Sequence, residues 1–154
     1  MFNVRWMEGR DLPYVLMLSG QVLGKDPRIA LRHLQRMDKC ACVVLLRYYD
    51  VVGYLLYKHE KDRVAIMHVA VSPEYQRKGG GTDMIKFVLD GYSKAKTIKP
   101  IEVMLREDAS DAQSFFRAAG FKVASIKKQH FKNGDDGYLM RKVPERIQVD
   151  QPQV

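Results

Sequence analysis

The stretch "VAIMHVAVSPEYQRKGGGTDMIKFVLDGYSK" (Val64–Lys94) limits the possible folds of this chain more than any other. An apolar run, Val64–Val71, is followed by three consecutive glycines, Gly79–Gly81, and then by Met84, Ile85, Val88, Leu89 and Tyr92 on one helical face. The pattern predicts a strand, a glycine turn and an amphipathic helix. The first amides of a helix have no intrahelical acceptor, and the helix dipole makes that end partly positive. Glycines let the backbone curl so that several N–H groups converge on one anion. Arg77 and Lys78 stand directly before them and add full positive charges. The stretch therefore reads as a cradle for phosphate, and for a pyrophosphate in particular. A P-loop would need a Lys-Ser/Thr pair after the last glycine, and a dinucleotide fingerprint would need a glycine where Met84 stands.

The rest of the chain supplies elements for a sheet around this unit. "FNVRWM" alternates as a strand, and a helix starts near Asp11, with Pro13 in its first turn. Asp26 caps a second helix over Asp26–Met37, with Pro27 just inside and Ile29, Leu31, Leu34 and Met37 near helical spacing. Three β-rich runs, "ACVVLLRYYD", "VVGYLLYKHE" and "RVAIMHVAV", form an antiparallel meander with Asp50 and Asp62 in its connections. "PIEVMLRE" is a further strand, and "SDAQSFFRAAGF" is a short helix capped by Ser110 or Asp111 and stopped by Gly120. "FKVASIKKQHF" and "DGYLMRKV" close the chain as strands around "NGDDG". The expected order is β-α-α-β-β-β-α-β-α-β-β, an α/β (α+β) mixed sheet. It makes one domain over residues 1–143, with a polar tail over 144–154.

Composition narrows the function classes. At 154 residues, with 46% apolar and 29% charged residues, the chain suits a soluble domain with one core. No apolar run approaches the roughly 20 residues of a membrane-spanning helix, and the first residues lack a signal-peptide core. A cytoplasmic protein with no membrane partner is expected. Cys40 and Cys42 read as buried thiols, because a zinc site would need about four suitably spaced ligands. No metal is expected. The net charge of +8, from 26 Lys+Arg against 18 Asp+Glu, favours anionic partners without selecting one. A nucleic-acid-binding role would rest on charge and "LRYYD" alone, and those tyrosines are expected to pack on a strand. Nothing in the sequence sets the oligomeric state, and a homodimer stays open.

The motif "VSPEYQRKGGG" resembles motif A of the GNAT (Gcn5-related) N-acetyltransferases, Q/R-x-x-G-x-G/A, with Gln76, Gly79 and Gly81 at its defined positions. "GRDLPYVLML" is similar to the family's first helix and "SFFRAAGF" to its "LYexLGF" helix ending. "IKKQHFKNGDDGYLM" resembles the closing hairpin of the branch that acetylates protein N-terminal amines, so the likeness covers about Arg5 to Lys142. It implies a mostly antiparallel sheet, flanked by about four helices and splayed between its fourth and fifth strands. The implied acetyl donor is acetyl-CoA. Its pyrophosphate would meet the backbone of Gly79, Gly80, Gly81 and Thr82, flanked by Gln76, Arg77 and Lys78. Its pantetheine arm would lie along Val69, Ala70 and Val71, with the oxyanion met by backbone N–H near Val69. The implied reaction is direct attack by a primary amine, in the first place a peptide or protein N-terminus, within a ternary complex.

The acid and base of the family do not carry over. The positions that match them hold Ala65, Met104 and Phe116, none of which can transfer a proton, and the cofactor-contacting Asn falls on Ala109. Among substitutes, Glu102 shares strand parity with Met104 and could act through water, although a strand-end carboxylate of that kind is expected to be exposed. His130, with Phe131 and Tyr138, falls where relatives line the acceptor groove. His68 has an odd offset from Ala65 and is expected on the opposite face, packed in the core; His33 and His59 read as ordinary helix and turn residues. An α-amine is partly neutral near pH 7, whereas a lysine amine is almost wholly charged. A site without a base therefore suits α-amines. Two other readings follow from the same residues: an acyl-CoA-binding module without catalysis, and an acetyltransferase for small-molecule amines.

Overall fold

The computed structural model describes residues 1–24, 26–36, 38–93 and 98–144. Most of the expected tail, residues 145–154, lies outside them, as do Lys25, Met37 and residues 94–97. The elements are β1 (Asn3–Trp6), α1 (Leu12–Leu23), α2 (Pro27–Leu34), β2 (Cys40–Arg47), β3 (Asp50–His59), β4 (Val64–Val71), α3 (Gly80–Ser93), β5 (Ile101–Arg106), α4 (Ser110–Ala118), β6 (Lys122–Lys127) and β7 (Gly137–Lys142). They follow the expected order and form one seven-stranded sheet, β1-β2-β3-β4-β5-β7-β6. All pairs are antiparallel except β4–β5, which is parallel.

Two apolar clusters cover the sheet. On one face Val43, Leu45, Leu55, Tyr57, Val64 and Ile66 pack with Met84, Ile85 and Val88 of α3 and with Phe116 and Phe121 around α4. On the other, Val15, Leu18 and Leu34 of α1 and α2 pack with Cys40, Cys42, Val44, Tyr54, Leu56 and Ala70. Fully burying one such aliphatic side chain contributes about 1.5–3 kcal/mol, so each helix is held chiefly by its apolar stripe. Cys40 and Cys42 are buried free thiols on the same face, as their spacing predicts.

A β-bulge decides where the sheet opens. Leu56 pairs with His68 and Tyr57 with Ile66, so Met67 is an extra residue in β4. Such a bulge bends its strand and exchanges the two faces beyond it. The bend falls directly after Ile66–Val103, the last of three β4–β5 pairs. Beyond it β4 runs on to Val71, while Met104, Leu105 and Arg106 pair only with β7. The fourth and fifth strands are therefore splayed as a wedge.

Several local expectations are corrected. Asp50 opens β3 instead of lying in the connection, which is the two-residue turn Tyr48–Tyr49. These tyrosines do not pack on a strand: they are 74% and 97% exposed, with Tyr48 at φ 55°. The N-cap of α4 is Ala109, which has no capping side chain; Ser110 and Asp111 already lie inside the helix. The closing strands are shorter than their apolar pattern, leaving His130 and Phe131 in the β6–β7 loop.

Candidate functional site

Helix α3 starts against the sheet because its glycines allow it. Its first intrahelical bond runs from Asp83 N–H to Gly79 C=O at 2.9 Å, which leaves the amides of Gly80, Gly81 and Thr82 without an acceptor in the helix. Arg77 and Gly79 both have positive φ, 62° and 89°, and these two reversals curl the chain before the helix. Gly80 lies so close to the Leu45 side chain that a Cβ there would collide with it. A Cβ on Gly81 would sit 3.1 Å from the Phe115 ring. One glycine serves conformation and two serve close packing.

Gly80, Gly81 and Thr82 line a cleft of about 400 Å³ beside the wedge. Its walls are Val69 and Val71 of β4, the turn from Tyr75 to Thr82, Val22 near the end of α1, and Asp111, Ala112, Phe115 and Phe116 of α4. Gln76 lines the cleft while its Nε2 donates to the Val71 carbonyl oxygen at 2.8 Å. Two of the expected residues stand apart from the cleft walls. The side chain of Ala70 is buried among α1 and α2 residues, and the Lys78 ammonium lies over the Tyr75 ring, 5.8 Å from its centroid.

The bulge changes which side chains flank the wedge. Val64 and Ile66 point into the α3 core, and beyond Met67 it is Val69 and Val71 that do so. His68 therefore joins Ala65 on the α1–α2 face, contrary to the expectation from its odd offset. It is buried, as expected, and its Nδ1 shares a 2.9 Å hydrogen bond with the Tyr54 hydroxyl, whose pKa burial pushes up to about 12. Glu102 pairs across the ladder with Ala65 and shares that face with Met104. It is 5% exposed, which corrects the expectation of a solvated strand-end carboxylate. Its Oε1 is 3.4 Å from Arg141 Nη2, and its Oε2 is buried with no hydrogen-bond partner among the described residues.

The other candidates lie at the start of β7 and in the loop before it. His130 stacks edge-on with Phe131, and its ring lies over Gly137 together with the Met104 sulfur. The Arg106 guanidinium covers Phe131, 4.3 Å from its centroid. Tyr138 pairs with Leu105, which points into the α3 core, so alternation places Tyr138 and His130 on opposite faces. Phe116 is buried against Phe115 and Phe121. His59 accepts or donates a 2.6 Å bond with the Tyr92 hydroxyl, and His33 lies in the last turn of α2. The sequence reading missed Phe115, whose ring packs on Gly81; its place beside the apolar Phe116 in an amphipathic helix was the available signal.

Comparison with known proteins agrees with this geometry. An N-alpha-acetyltransferase of Sulfurisphaera tokodaii is 24% identical over 103 residues, covering 59% of this chain and 62% of that relative. The Escherichia coli ribosomal-protein-S18-alanine N-acetyltransferase superposes with a TM-score of 0.82 at 16% identity, covering 99% of this chain and 100% of that one. Arabidopsis thaliana Naa50, solved in complex with the bisubstrate analogue CoA-Ac-MVNAL, gives 0.77 at 19% identity over 92% of this chain and 97% of that one. Residues 6–121 match the pattern of the acetyltransferase (GNAT) family, so that match, the splayed sheet and the glycine turn together establish that the chain belongs to this family.

Proposed function

We propose that this protein is an N-acetyltransferase that moves an acetyl group from acetyl-CoA to a primary amine, in the first place the N-terminal amine of a peptide or protein. The observation that carries the reading is the set of amides of Gly80, Gly81 and Thr82, without an acceptor in their helix, at the mouth of the β4–β5 wedge. Three N–H groups in the first turn of a helix suit a pyrophosphate, and Arg77 in the same wall adds a full charge. Gly79 shapes the turn, and Gln76 braces it against β4. Val69 to Val71 pair with β3 on one side and have left β5 on the other, so that open edge offers backbone groups to an extended pantetheine arm, and the N–H near Val69 is the donor for the developing oxyanion. Lys78 and Ala70 would contribute through their backbone, since their side chains are engaged elsewhere.

An N-terminal acceptor is supported by the names of the relatives and by the cluster at the start of β7, where His130 lies with Met104 over Gly137 and packs edge-on against Phe131. A ribosomal or nascent-chain acceptor would place the reaction in the cytoplasm; no helix among the described residues is long and apolar enough to cross a membrane. A second reading, acyl-CoA binding without turnover, is favoured by the apolar side chains of Ala65, Met104 and Phe116.

Calorimetric titration of acetyl-CoA into the wild type and a Gly81→Glu variant, followed by mass spectrometry of N-terminal peptides, tests both readings. Micromolar binding, lost in the variant, with a 42 Da gain on the peptide α-amine, is the expected result. Binding without any acetylated amine favours the second reading, and no binding removes both.

A further inference from the structure

We propose that Glu102 is the proton acceptor for the incoming amine, acting from a position that supplies no base in the family pattern. The inference rests on the acetyl-transfer reading above and names the residue that reading leaves open. Two buried carboxylates show what distinguishes this one. Asp11 accepts from Arg5 at 2.7 and 3.0 Å and from the Glu8 N–H at 2.8 Å, so both its oxygens are satisfied. Glu102 is as deeply buried, yet it has one 3.4 Å contact to the half-exposed Arg141, and its Oε2 meets no donor among the described residues. A buried acceptor atom left open in this way calls for a ligand, a water or a catalytic role.

Its place in the sheet selects the last of these. Glu102 sits one rung before the pair Ile66–Val103, after which β4 and β5 part. Its rung partner Ala65 adds only a methyl group on that face, and Lys58, opposite Ala65 on β3, sends its ammonium toward Glu60 at 3.6 Å. Next along the face, His68 is fixed by Tyr54, and the Met104 sulfur leans over Gly137 on β7. The open Oε2 thus belongs to a carboxylate at the closed end of the wedge, on the face opposite the α3 core.

The step balances with the two substrates alone. The acceptor ammonium gives one proton to the Glu102 carboxylate, directly or through one water. The neutral nitrogen then forms a bond to the thioester carbonyl carbon, and the carbon–sulfur bond breaks with its electron pair on sulfur. The second nitrogen-bound proton goes to the thiolate, giving CoA thiol and an N-acetyl amide, and Glu102 returns its proton to solvent.

The test compares wild type with Glu102→Gln, which keeps shape and removes the base. The variant is expected to bind acetyl-CoA with the wild-type Kd and to keep KM for an N-terminal peptide within a few-fold. Its kcat should fall about 100-fold or more, in the usual range for general-base catalysis. With an aminooxyacetyl peptide, whose amine is already neutral at the assay pH, the deficit should shrink below about 5-fold, which no merely structural role would produce. If the Gln variant does not fold, Glu102→Asp serves: it keeps the charge but withdraws it by one methylene, and should lose about 10-fold in kcat with the same recovery on the neutral acceptor. A Gln variant within threefold of wild type on the ordinary peptide overturns this inference alone. A wild type that binds acetyl-CoA but acetylates no amine overturns it together with the acetyl-transfer reading.

Discussion

The Gln76 side-chain amide donates to the Val71 carbonyl oxygen at 2.8 Å, tying the glycine turn to the last residue of β4. The bond spans five residues and fixes where the α3 amides stand relative to the wedge. Gln76 is thus a brace, with one of its two amide hydrogens already used inside the protein. One such hydrogen bond is worth about 0.5–1.5 kcal/mol, so Gln76→Ala should weaken acetyl-CoA binding about 2- to 10-fold. Calorimetry would show the loss, while the thermal midpoint should fall by no more than about 6 °C.

Asp11 holds the start of α1 to β1. The Arg5 hydrogen bonds, aided by the Glu8 N–H, keep its carboxyl below the ordinary range against the opposing effect of burial. A carboxyl depressed in the folded state stabilises fully above its unfolded pKa, about 3.9, and loses that contribution as pH falls through the lower folded value. Asp11→Asn should therefore cost about 1–3 kcal/mol at pH 7, less than a fully buried pair because the Arg5 side chain is partly exposed. Urea unfolding should show the gap between variant and wild type narrowing below about pH 4.

Burial pushes the Cys42 thiol up to about 12 and raises Cys40 in the same direction. Only the thiolate reacts, so at pH 8 Cys42 should label with an aromatic disulfide more than about 1000-fold slower than a free thiol. Unfolding in denaturant should release two reactive thiols per chain, matching the two cysteines of the sequence. Fast labelling of Cys42 in the folded protein would contradict its place under α1.

The elements were legible because their periods were. The α3 stripe Met84–Ile85–Val88 reads as a helix and the short apolar run of β4 as a strand, and the glycine turn marked their junction. What was hidden depended on a single extra residue. Met67 looks like any other apolar strand residue, yet as a bulge it reverses the faces beyond it and brings His68 to the side of Ala65. The burial of Glu102 was hidden for a similar reason. It is covered through neighbours on β4 and β7 that lie far away in sequence, and no local pattern reports them. Tyr48 and Tyr49 misled because aromatic residues favour strands, whereas the register between β2 and β3 left two residues for the turn.

Acceptor choice follows from proton affinity as much as from shape. Before it can attack a thioester, an amine must be neutral, and near pH 7 an α-amine is neutral about 300 times as often as a lysine side chain. A strong base beside the wedge would erase much of that difference by deprotonating either amine. The family positions hold Ala65 and Met104, and a carboxylate, the kind of group proposed in their stead, takes a proton from an α-ammonium far more easily than from a lysine ammonium. A peptide carrying both amines should therefore be acetylated at its N-terminus about 100-fold faster than at lysine near pH 7. The preference should shrink as pH rises toward 10, where the α-amine is almost wholly neutral and about a quarter of lysine side chains are. Site-resolved mass spectrometry on one peptide, with its α-acetylated form as a control, reads both effects. Equal rates at pH 7 would show that a stronger base than a carboxylate serves the wedge.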